Sequence, residues 1–95
     1  MSGKLEDLAE SYIEKKVIAF SKRRGYLYRK MQYIGRRKAA DRFFFGQGGR
    51  LIMVEFKKWG EKPDEGQARE IARLRALGFE VHVIDNIADG MMLFA

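Results

Sequence analysis

Asp41 and the triplet Glu55-Phe56-Lys57 are the residues of this chain whose types and spacing could do chemistry. Two carboxylates beside an ammonium suit a hard divalent cation and phosphodiester hydrolysis. The acid oxygens hold the cation, while the lysine offsets their repulsion and stabilises charge on a phosphate. A β-hairpin must bring them together. Residues 41–45 and 50–57 read as its strands, rich in β-branched and aromatic side chains, and Gly46-Gln47-Gly48-Gly49 reads as its turn. Folding about that turn sets Asp41 opposite Val54 or Glu55, according to one residue of register. Strand alternation puts Leu51, Met53, Glu55 and Lys57 on one face and Ile52, Val54 and Phe56 on the other.

The neighbouring elements follow from periodicity. Leu5, Leu8, Tyr12, Ile13, Val17 and Phe20 recur at helical spacing and predict a helix over about 4–24, ended by Gly25. Glu10 lies at the edge of that apolar stripe, where it can face a sheet-borne metal, and Glu14 points further towards solvent. Glu6 competes with Glu10, but an acid in the first turn is explained by the helix dipole. Residues 26–31 predict a strand, and Gly35-Arg36-Arg37-Lys38 a basic loop. Asp64 to Gln67 has capping-box spacing and opens a helix that buries Ala68, Ile71, Leu74 and Leu77 before Gly78 stops it. A strand over 79–84 and a short helix over about 86–93 complete the order α-β-β-β-α-β-α. This is an α/β fold, one domain over 1–95, with a mixed sheet flanked by helices and a parallel crossover between residues 51 and 84.

Composition narrows the function. Nineteen Lys and Arg against thirteen acids give a net charge of +6, which favours a polyanionic partner such as DNA. The absence of cysteine removes disulfides, thiol catalysis and cysteine-based zinc sites. The N-terminal residues lack a signal-peptide pattern and no apolar run matches a membrane span, so the expectation is a soluble cytoplasmic protein with no membrane partner and no small-molecule cofactor.

The ordered set Glu10-Ser11-Tyr12-Ile13, Lys30, Gly35-Arg36-Arg37, Asp41-Arg42, Glu55-Phe56-Lys57, Gln67 and Leu77-Gly78-Phe79-Glu80-Val81 resembles the VRR-NUC module of the PD-(D/E)XK nuclease superfamily, over residues 8–85. The resemblance implies a restriction-endonuclease-like core, with Glu10, Asp41 and Glu55 as ligands of magnesium, for which manganese can substitute. It implies that Lys57 positions the attacking water and that Gln67 is the glutamine after the catalytic strand. The family's glycine and proline before the aspartate are replaced here by Lys38, Ala39 and Ala40. Stand-alone members imply a homodimer acting on branched DNA such as four-way (Holliday) junctions.

Each residue also has a plainer reading. Asp41 can simply pair with Arg42 or Arg37, Glu55 with Lys57, and Gln67 can serve only the capping box. His82, alternating with Val81 and Val83, lies on an outer or half-buried face without a metal-ligating partner. Arg29, Lys30, Arg36, Arg37, Lys38 and Arg42 crowd the approach to Asp41 and are the better DNA contacts. Lys15, Lys16, Lys22, Arg23 and Arg24 form a solvated helix face. Tyr26, Tyr28 and Tyr33 either stack on bases or belong to the core. The apolar tail Met91-Met92-Leu93-Phe94-Ala95, with Phe43 to Phe45, either covers a second copy or folds back over its own sheet. The rival functions are a non-catalytic nucleic-acid-binding module and a flap or single-strand nuclease in repair. The converging acids argue against a pure binder, because each repels phosphate unless a cation intervenes.

Overall fold

The computed structural model describes residues 9–33 and 39–95. The expected helical start before Ala9, with Leu5, Glu6 and Leu8, and the basic loop with Arg36, Arg37 and Lys38 lie outside the described residues.

The first helix, α1 (Glu10–Arg23), buries Ile13, Val17 and Ser21 one turn apart, and the Ser21 hydroxyl is satisfied by donating to the Ile18 carbonyl at 2.7 Å. Gly25 ends it at φ +90°. The Gly25 N–H bonds back to Lys22 and the Tyr26 N–H to Ser21, the paired bonds of a left-handed helix stop. Strand β1 (Leu27–Lys30) leads to β2 (Arg42–Phe45), and a 3-10 turn at Gln47–Gly49 connects to β3 (Leu51–Phe56). After α2 (Glu65–Ala76) come β4 (Glu80–Ile84) and α3 (Ile87–Met92), capped by the Asn86 side chain on the Asp89 N–H. The order is the α-β-β-β-α-β-α expected from the sequence.

The sheet runs β1-β2-β3-β4, with the first two pairings antiparallel and β3 parallel to β4. Ile13 and Val17 of α1 join Phe44, Ile52, Val54, Phe56, Ile84 and Phe94 in the larger core cluster. On the opposite face, Ile71 of α2 joins Ala39, Ala40, Met53 and Val81. The split reproduces the predicted alternation along β3. Gly90 lets α3 meet α1 closely, since a Cβ there would collide with Val17 and crowd Ile84.

Two expectations need correction. In α2 only Ile71 is fully buried and Leu74 half-buried, whereas Ala68 is exposed and Leu77 is 75% exposed. The stripe facing the sheet runs through residues 67, 71 and 74, so a polar Gln67 occupies the place assigned to an apolar neighbour. Of the two alternatives for the C-terminal tail, it folds back. Phe94 is 2% exposed, with its ring 4.9 Å from Tyr26 and 4.8 Å from Phe44, and its carbonyl accepts from Arg24 Nε at 3.1 Å. Tyr26 and Tyr28 pack against the same cluster, as the core reading of these tyrosines requires.

Candidate active site

The β2–β3 ladder pairs Arg42 with Val54, so continuing the register one step sets Asp41 opposite Glu55. The Met31 N–H fixes Asp41 from the other side, donating to its carbonyl at 2.7 Å. Both acids therefore stand at one end of three adjacent strands.

Glu55 is 7% exposed, and a buried carboxylate must be hydrogen-bonded to be tolerated. Its Oε1 accepts the Ala40 N–H at 2.6 Å, and its Oε2 accepts Gln67 Nε2 at 3.1 Å with Lys57 Nζ at 3.6 Å. Burial pushes the Glu55 pKa above the ordinary carboxylate value. The Ala40 N–H pulls it down, the Asp41 charge pushes it up, and Lys57 pulls it down. Ala40 reaches this carboxylate with φ +55°, a left-handed conformation that costs a non-glycine residue about 1 kcal/mol. The methyl group is fully buried beside Met53 and Ile71, and that packing holds the strained backbone in place.

Gln67 serves two purposes through the two ends of one amide. Its Oε1 accepts the Asp64 N–H at 3.1 Å while its own N–H donates to Asp64 Oδ1 at 2.8 Å, completing the capping box. Its Nε2 is directed to Glu55.

Arg42 is committed within the protein. Its Nη1 lies 2.9 Å from Asp41 Oδ1, and Nε and Nη2 form a fork on Glu14 at 2.9 and 3.2 Å, with 12% of the arginine side chain exposed. Arg42, grouped by sequence with the DNA contacts, here positions Asp41. Glu14, read from periodicity as solvent-facing, is its anchor. Lys30, opposite Arg42 across the β1–β2 ladder, is exposed.

Glu10 begins α1, exposed, and its pKa is raised by partial burial and lowered by Lys57. Glu14 and Glu61 push it up, and Arg42 pulls it down. The Lys57 ammonium thus acts electrostatically on both Glu10 and Glu55. Among the described residues no three Asp, Glu, His or Cys side chains form a ready-made metal cage. Asp41 and Glu55 nevertheless fit a hard divalent ion. Magnesium is commonly held by one or two carboxylates with water and substrate oxygens around it, and a cation would relieve the cost of ionising buried Glu55.

Other candidates resolve simply. His82 is half-buried and its Nε2 lies 2.8 Å from Glu80 Oε2, on β4. Tyr33 is half-buried, and its phenol pKa is raised by burial, then by the charges of Glu70, Asp41 and Glu55. Among the described residues no helix is long and apolar enough to cross a membrane.

No protein-family model matches the chain. It is 40% identical over 79 residues to "Putative nuclease p44" of Acyrthosiphon pisum secondary endosymbiont phage 1, covering 83% of this chain and 85% of that protein. A solved structure described as a VRR_NUC domain superposes with a TM-score of 0.83 at 33% identity, over 88% of this chain and 91% of the other.

Proposed function

The chain belongs to the VRR-NUC nuclease family, and we propose that it is a divalent-metal-dependent DNA endonuclease of PD-(D/E)XK type acting on branched DNA such as four-way junctions. The observation that carries this reading is the register that sets Asp41 opposite Glu55, with Lys57 Nζ 3.6 Å from Glu55 Oε2. Asp41 and Glu55 would hold the cation, with Glu10 approaching from α1 as the third acid. Magnesium, with manganese able to substitute, supplies when bound the Lewis acidity that activates water and offsets charge on the phosphate.

The chain's own groups do the rest. Ala40 and Gln67 hold the two Glu55 oxygens apart and pointed, and the Arg42–Glu14 fork fixes Asp41. Lys57 orients the attacking water and stabilises charge developing on the phosphate. Lys30, Arg36, Arg37 and Lys38 would contact phosphates without reading sequence. A homodimer supplies two such sites for paired cuts across a symmetric junction. With the tail folded back, the apolar surface left for a partner includes Leu27 at 50% and Phe45 at 38% exposure, opposite each other at the end of β1 and β2.

The test is a panel of labelled single-stranded, duplex, flap and four-way-junction DNA incubated with magnesium, manganese or chelator. Paired nicks in the junction with either metal, and none in chelator, are expected. A flap-only or single-strand-only pattern moves the function to repair trimming, and cutting in chelator overturns the metal dependence.

A further inference from the structure

We infer that Trp59 is a stacking platform for an unpaired base beside the scissile phosphate, and that it makes the enzyme prefer interrupted DNA over continuous duplex. The inference rests on the nuclease reading and specifies its substrate. Trp59 is 58% exposed and lies two residues beyond Lys57, so its Cα is within about 7 Å of that of the lysine.

The indole sits on a tightly held turn. The Glu61 N–H donates to the Lys58 carbonyl at 2.9 Å, the Lys58 N–H to Glu61 Oε1 at 3.4 Å, and the Gly60 N–H to Asp85 Oδ2 at 3.1 Å, with Gly60 at φ +81°. Lys57, just before the turn, is tied to the sheet through its N–H on the Ile84 carbonyl at 2.9 Å. The turn borders the site, because Lys57, whose Nζ lies 3.6 Å from Glu55 Oε2, stands two residues before Trp59. Lys57 and Lys58 precede Trp59 and Lys62 follows it, a cationic setting suited to a nucleotide backbone.

A single exposed apolar side chain is ordinarily unremarkable. This one presents a large π surface on a held backbone between a catalytic lysine and further cations, the combination that binds single-stranded nucleic acid. In a continuous duplex each base face is covered by its neighbours. Only a flap, a junction strand exchange or a bulge frees one for the indole.

Trp59 is the only tryptophan in the chain, so its emission reports the contact directly. Full-length protein in calcium is titrated with a flap DNA and with an uninterrupted duplex of the same sequence. Cleavage of both is then measured in magnesium for wild type, Trp59→Phe and Trp59→Ala. Expected are quenching by the flap and not by the duplex, a roughly tenfold weaker hold of Trp59→Ala on the flap alone, and substantial rescue by Trp59→Phe. Circular dichroism confirms that the variants fold. Unchanged emission with flap bound, equal quenching by both DNAs, or wild-type discrimination in Trp59→Ala overturns the stacking role while leaving the nuclease reading intact. Wild-type protein that cuts none of these DNAs and no junction, in magnesium or manganese, sinks the nuclease reading and the stacking role with it.

Discussion

Asp41 and Glu55 are electrostatically linked, and that linkage can be read by titration. Glu55 carries a raised pKa, first through burial, with the Asp41 charge adding to it. A carboxyl with a raised folded-state pKa contributes stability that is fully present below the unfolded value, near 4.5, and is lost as pH rises through the folded pKa. Metal-free protein should therefore gain stability from Glu55 as pH falls from neutral towards 4.5, and its calcium affinity should fall over the same range. Asp41→Asn should bring the Glu55 pKa down, measured by carbon-13 NMR of its carboxyl. An unchanged Glu55 titration would show that the two acids do not share a site. Much of this pairing was legible, since strand alternation and the glycine-rich turn confined Asp41 to two partners. What was not legible was Arg42, whose fork on Glu14 joins residues 28 positions apart and carries no local pattern.

At the scale of elements, α2 links a structural cap to the site through Gln67. Asp64→Ala and Gln67→Ala should each cost about 1 kcal/mol, lowering Tm by about 4–8 °C. Only Gln67→Ala also removes the bond to Glu55 Oε2, so only it should reduce kcat by more than its effect on folding. Equal kcat in the two variants would confine Gln67 to the cap. Helix periodicity found α2 but chose Ala68 over Gln67 for its inner face, because hydrophobicity gives no weight to a buried polar partner waiting on the sheet. Gly90 belongs to the same scale. Gly90→Ala forces a methyl group against Val17 and should cost about 1–3 kcal/mol in thermal or urea unfolding. A wild-type Tm would mean that α3 moves aside freely.

At the scale of the whole molecule, a net charge of +6 predicts DNA binding that weakens steeply with salt. Each of Lys30→Ala, Arg36→Ala and Arg37→Ala should reduce the slope of log affinity against log salt by about 1, roughly equally for different sequences. Slopes equal to wild type in all three would move the DNA path elsewhere. The element order and the two-sided core were legible because hydrophobic periodicity changes from helix to strand along the chain. The choice between a tail that covers a second copy and one that folds back over its own sheet was not, since Phe94 finds Tyr26 and Phe44 only once the sheet exists. Metal-dependent cleavage through Asp41 and Glu55 is tested by single-turnover cleavage of a labelled four-way junction by wild type, Asp41→Ala and Glu55→Ala, with binding measured on the same samples in chelator. Wild type should cut only with magnesium or manganese, and both variants should fail to cut while binding at least as tightly in chelator as wild type. Full activity in either alanine variant, or cutting by wild type in chelator, would contradict it.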